Sequence, residues 1–269
     1  MGAGLLINRY PKPHRPNPRF AKAVTVCIAA ACQDKGEPRI VLCSDTRLGY
    51  EDLGSTSSTV KVDVLGHGWC IQIAGDWSGA KYLGSILIGK IQNLSSAPSF
   101  IRDVEVQISS GIDEFLRSAF CETDKNYETL LSGFIHNKPR MVKACVYQGT
   151  PKLDLSDSFA VIGYGFTIAS ALLALRECNS SMPLGNVAYL AYEAKKCSEK
   201  TGTVGAYTVL AAQSPGESPK DKARVKIVSN IGKLALEAIY ANFWKVPFCE
   251  MPELPESFFT SPTEKQSPQ

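Results

Sequence analysis

The hydrophobic period of this chain switches between two and about 3.6 residues in a fixed order. That order constrains the fold more than any single residue does. Strand-like runs come first: Thr25-Val26-Cys27-Ile28-Ala29-Ala30, then Ile40-Val41-Leu42-Cys43-Ser44-Asp45-Thr46-Arg47 beyond the polar turn Gln33-Asp34-Lys35-Gly36-Glu37-Pro38. Gly54-Ser55-Thr56-Ser57-Ser58 reads as a loop, and strands are expected near 59–64 and 68–74. Helical spacing then takes over. Tyr82, Ile86, Ile88 and Ile91 mark one segment, and Ile101, Val104, Ile108, Ile112, Phe115 and Ala119 step by three or four along a second. Strands return at about 128–136, 140–148 and 158–163, followed by helices over 166–178 and 184–200 with Met182-Pro183 between them. Strands near 204–213 and 224–229 and a helix over 231–244 complete the pattern.

Strands, two helices, strands, two helices, strands: this order predicts an α+β fold, a four-layer αββα sandwich of two antiparallel sheets with outer helices. Alternating βα units, which a doubly wound parallel sheet needs, are absent. Residues 1–22, with Tyr10-Pro11-Lys12-Pro13-His14-Arg15-Pro16-Asn17-Pro18, lack any period and are expected to form an extended arm. The domain is expected over 23–246, with a Pro-rich tail over 247–269.

Composition matters here for what it excludes. A formal net charge of +3 gives no case for nucleic acid or an anionic membrane surface. No apolar run approaches the ~20 residues that span a bilayer. The nine cysteines form no C-x-x-C pair and most fall inside apolar runs, so buried reduced thiols in a cytoplasmic protein are expected. His14, His67 and His136 have no ligand spacing with a cysteine, so neither a metal nor a cofactor is expected.

The chemistry concentrates between Thr25 and Gly75. An apolar strand that delivers an Asp and an Arg, followed by a Lys, toward a strand opening on Thr is costly unless those charges are paired. A Lys near a hydroxyl is one way to activate it as a nucleophile. The residue types alone also fit a β-branched strand residue and a solvated charge cluster at strand ends.

Thr25, the motif Ser44-Asp45-Thr46-Arg47, Lys61 and Ala74-Gly75 together resemble the proteasome β-type family of N-terminal-nucleophile hydrolases, its bacterial proteasome-like members in particular. Lys61 lies 16 positions after Asp45 and Gly75 lies 14 after Lys61, as in that family. Phe159-Ala160-Val161-Ile162-Gly163-Tyr164-Gly165 is a weaker echo of a strand end before a helix. The similarity runs over roughly residues 23 to 213.

The resemblance implies a threonine-type peptidase. Thr25 would be the nucleophile and its own α-amine the base. Lys61 would lower the pKa of both, Asp45 would hold Lys61, and Arg47 would buttress the acid. Gly75 would give its N–H to the oxyanion. Leu48, Gly49, Thr59, Ile73 and Trp77 would line an uncharged substrate pocket. The resemblance further implies a peptide or unfolded-protein substrate, a self-compartmentalised homo-oligomer and an unfoldase as partner.

An N-terminal nucleophile must be the first residue of the mature chain, yet 24 residues precede Thr25. Either they are a zymogen propeptide, or translation starts at Val24 from a GTG codon. Tyr164 stands where the family has an accessory Ser. Lys200-Thr201-Gly202-Thr203-Val204-Gly205 replaces an Asp-x-x-Ser-Gly, with Thr203 in place of the Ser. A non-catalytic scaffold subunit and a non-peptide amidohydrolase are the alternative readings. A Ser-His-Asp hydrolase lacks its G-x-S-x-G elbow.

Overall fold

The computed structural model describes residues 25–45, 47–49, 56–58, 61–65, 67–94, 100–200, 204–215, 224–243 and 259–260. The N-terminal arm, Val24, Thr59, Thr203 and most of the C-terminal tail lie outside them.

Two antiparallel sheets stack face to face. The first takes β1 (Cys27–Asp34), β2 (Glu37–Asp45), β10 (Phe159–Ile162), β11 (Thr208–Ser214), β12 (Arg224–Val228) and β13 (Phe259–Thr260), in the order β10-β1-β2-β11-β12-β13. The second takes β5 (Val62–Val64), β6 (Cys70–Gly75), β7 (Asn126–Ile135), β8 (Lys138–Tyr147) and β9 (Thr150–Ser156), in sequence order. A separate two-stranded ribbon pairs β3 (Arg47–Gly49) with β4 (Thr56–Ser58).

The period-2 alternation of the strands builds three apolar layers. In β1, Ile28, Ala30 and Cys32 face α3 (Phe166–Leu175), α4 (Leu184–Glu199) and α5 (Asn230–Phe243), in a core with Leu173, Leu190 and Leu236. Cys27, Ala29 and Ala31 face the other way, meeting Cys70, Ala74 and Leu130 of the second sheet. Both faces of β1 are buried, which is why its sequence reads as an unbroken apolar run. On the far side, α1 (Trp77–Gln92) and α2 (Ile101–Leu116) cover the second sheet through Leu83, Leu87, Val104, Ile108 and Phe115. The result is the αββα sandwich that the order of periods predicts.

A buried polar clamp fixes one sheet against the other. Gln213 of β11 donates to the carbonyls of Gly68 (2.9 Å) and Ser132 (3.1 Å), and the Ser132 hydroxyl donates back to its Oε1 (2.7 Å). Gln72 donates across the same interface to the Cys43 carbonyl (3.3 Å).

Three details differ from the sequence expectation. Thr56–Ser58 pair with Arg47–Gly49 in a ribbon that backbone bonds alone can hold, with no apolar alternation to betray it. Thr150–Ser156 add a fifth strand to the second sheet although Pro151, Lys152 and Asp154 argue for a linker. An edge strand tolerates Pro and charge where an interior one does not. Phe259–Thr260, within the stretch read as a tail, pair with Ile227 and Val228 and add an edge strand to the first sheet.

Candidate active site

Strand ends from both sheets converge at one rim of the sandwich. Thr25 leads into β1, Asp45 ends β2, Lys61 leads into β5 and Gly75 ends β6. The Cys27 thiol donates to the Ile73 carbonyl (3.6 Å), so the start of β1 lies against the end of β6.

Thr25, Asp45 and Lys61 meet side chain to side chain. Lys61 Nζ donates to the Thr25 hydroxyl and to Asp45 Oδ1, the latter at 2.7 Å, and the Thr25 hydroxyl donates to the same Asp45 oxygen. All three are buried, with Asp45 at 0% exposure and Lys61 at 5%. A buried carboxylate and ammonium persist because each is the other's counter-ion. The second Asp45 oxygen accepts the Gly205 N–H at 3.1 Å, which completes its bonding. Chemically this is a hydroxyl held by a cation, with an acid that keeps the cation in place.

Two glycines are fixed by backbone geometry. Gly75 has φ +93°, and a side chain there would overlap the Asn126 carbonyl. Gly163 has φ +91°, and a side chain there would overlap the Thr25 carbonyl. The Gly163-Tyr164-Gly165 turn therefore wraps the Thr25 main chain, with the Gly165 N–H donating to the Thr25 carbonyl at 3.2 Å. Tyr164 itself is exposed.

Glu128 of β7 holds that turn from the second sheet, accepting the Gly163 N–H at 2.5 Å. Burial pushes its carboxyl above the ordinary carboxylate value, against hydrogen bonds from Gly163 and Tyr147 and the charge of Lys143. Sequence reading missed Glu128, although a lone acid in Tyr127-Glu128-Thr129-Leu130-Leu131 is a visible signal. Gly205 was missed as a partner of Asp45, because nothing local marks a backbone donor. Cys27, two residues from Thr25, has its thiol pushed up by burial and is no competing nucleophile.

The expected pocket residues divide. Leu48 and Gly49 place their backbone in β3, as does Arg47, expected to buttress the acid, and Thr59 lies outside the described residues. Ile73 is buried, its side chain facing α1 at Gly84, and Trp77 packs half-buried on the same cluster at the first turn of α1. One turn on, the Lys81 ammonium stands 5.9 Å from the centre of the Trp77 ring.

No family model matches the sequence, and no curated protein sequence matches it. The structure, however, is similar to solved ones. Anbu, described as an ancestral beta-subunit, from Yersinia bercovieri superposes with a TM-score of 0.59 at 14% identity, over 85% of this chain and 100% of that one. An Anbu (Gly-1) mutant from Hyphomicrobium sp. strain MC1 gives 0.56 at 18% identity, over 84% of this chain and 100% of that one. The chain has the proteasome-like N-terminal-nucleophile hydrolase fold.

Proposed function

We propose that the protein is a threonine-type amide hydrolase that cleaves peptide bonds through an acyl-enzyme on Thr25. The observation that carries this reading is the buried contact of the Thr25 hydroxyl with both Lys61 and Asp45. The chemistry requires that residues 1–24 be removed or never made, so that the Thr25 α-amine is free. The hydroxyl then attacks the scissile carbonyl carbon and passes its proton to that amine. Lys61 stabilises the developing alkoxide, and the Gly75 N–H is the donor assigned to the oxyanion. The C–N bond breaks as the ammonium returns a proton to the leaving amine. Water, deprotonated by the same amine, attacks the ester and restores the Thr25 hydroxyl. An α-amine titrates near pH 8, so it serves both steps at neutral pH.

Asp45 keeps Lys61 charged and aimed, and Arg47 is assigned to the support of its loop. Leu48, Gly49, Thr59, Ile73 and Trp77 are the proposed pocket, in which Trp77 limits the size of the cleaved residue. The fold's likeness to Anbu supports assembly of copies of the chain; a cytoplasmic compartment fed by an unfoldase belongs to the same proposal. Among the described residues no helix is long and apolar enough to cross a membrane.

The second reading is a non-catalytic scaffold subunit of the same fold, and the 1% exposure of Thr25 favours it while preceding residues remain attached. Fluorogenic peptide hydrolysis separates the two. Thr25→Ala is expected to lower turnover by on the order of 10³-fold or more with assembly unchanged. Activity within tenfold of the parent would refute the nucleophile.

A further inference from the structure

Helix α4 carries a buried polar stripe that the triad itself does not explain. Lys195 and Ser198 are 0% exposed, on a helix whose other buried positions include Val187, Leu190, Ala191 and Ala194. Lysine in such an apolar stripe is costly unless its charge is met by bonds. Lys195 Nζ meets the Glu199 carboxylate and donates to the Ala206 carbonyl at 3.0 Å. Ala206 adjoins Gly205, whose N–H is the bond to Asp45 Oδ2. One turn along the same helix, the Ser198 hydroxyl shares its proton between the Ala194 carbonyl (2.9 Å) and the Gly165 carbonyl (3.2 Å), and the Gly165 N–H holds the Thr25 carbonyl. α4 thus grips both backbone segments that touch the nucleophile and its acid.

We propose that Lys195 is a positioning residue for the Thr25–Asp45–Lys61 centre, acting through the Gly205-Ala206 backbone. This rests on the hydrolase reading for its consequence in rate, and on geometry alone for the link to Asp45. Gly205 and Ala206 have no side chain able to anchor their own loop, so the anchor comes from beneath. Holding the Ala206 carbonyl restrains the short segment that carries the Gly205 N–H, so the backbone next to Asp45 has less room to shift. That N–H ties down the one Asp45 oxygen that neither Lys61 nor Thr25 engages, so the carboxylate cannot rotate away from Lys61. An exposed i,i+4 pair on a helix would add little. Here the cation is enclosed and its bonding extends beyond the helix. Burial pulls the Lys195 ammonium below its ordinary value, and hydrogen bonding and charge from Glu199 pull it back, so the pair acts as a unit. The signal was present in the sequence: Val187, Ala191 and Lys195 repeat at helical spacing on one buried face.

The test replaces Lys195 with Met, which keeps most of the volume and removes the donor, and separately makes Glu199→Gln. Two readouts need no turnover: hydrogen exchange at the Gly205 amide, and the 13C chemical shift of a labelled Asp45 carboxyl at one fixed pH. Lys195→Met is expected to speed Gly205 exchange at least tenfold with β1 and β2 protection unchanged. The Asp45 carboxyl resonance should move, because one of its donors is displaced. In peptide hydrolysis kcat should fall about tenfold with KM unchanged. Glu199→Gln should give the same changes in smaller degree, and it carries the test should Lys195→Met fail to fold. Unchanged Gly205 exchange and an unmoved Asp45 resonance would overturn the proposal. So would faster exchange with the resonance and kcat both at parent values, since the role would then be structural. A parent protein without hydrolytic activity would refute the hydrolase reading alone, with exchange and the carboxyl resonance still deciding the link.

Discussion

Asp45 accepts from three directions, a side-chain hydroxyl, an ammonium and a backbone N–H, and none of these donors is in contact with bulk water. Removing the ammonium while keeping the acid leaves a buried charge without its counter-ion, which costs about 3–5 kcal/mol. Lys61→Met is therefore expected to lose stability on that scale in urea denaturation. The double variant Lys61→Met/Asp45→Asn should be more stable than the single, because it removes the stranded charge as well. Glu128 makes the opposite case, a carboxyl whose burial raises it above its ordinary value. Between the ordinary and the raised value the folded chain holds a proton that the unfolded chain has released. Its contribution is fully present below the ordinary carboxylate value and is lost as pH rises through the folded one. The facing groups are Tyr147 and Lys143 of β8 and the Gly163 N–H. Glu128→Gln keeps an acceptor for Gly163 and removes the titration. It should be more stable than the parent at pH 7, with the advantage shrinking as pH falls through the raised value and gone below about pH 4.5, by thermal unfolding across pH.

At the scale of elements, the sandwich is locked by few polar bonds through an otherwise apolar interface. Gln213 is 0% exposed and bonds Gly68 and Ser132 across the two sheets. Gln213→Ala would strand two carbonyls and a hydroxyl, at about 1–3 kcal/mol for each group left bare, softened by relaxation. A loss of about 2–4 kcal/mol is expected from urea midpoints. The strands of the sheet interiors were legible in the sequence because burial on both faces writes a continuous apolar run, as in β1. What escaped, β9 and the β3–β4 ribbon, lies at edges, where backbone pairing needs no apolar side chain. Helix α3 was read three residues too long. It ends at Leu175, and Glu177 beyond it takes φ +54°, a choice that apolar spacing does not encode.

Across the whole molecule, the candidate site exists only because two sheets meet. Thr25 and Asp45 come from the first and Lys61 from the edge of the second, so their spacing in the sequence carried the order and the fold supplied the contact. Side chains with unusual chemistry in apolar surroundings could be found by reading. The backbone donors of Gly163, Gly165 and Gly205 could not, since a peptide N–H has the same letter wherever it points. Whether Thr25 is a nucleophile with a free amine is read by treating natively expressed protein with an acylating β-lactone, digesting it and mapping the adduct by mass. A single acyl adduct is expected on a peptide whose first residue is Thr25, absent from Lys61→Met. A chain that keeps residues before Thr25 and still hydrolyses peptides, with the adduct elsewhere or missing, would contradict that assignment.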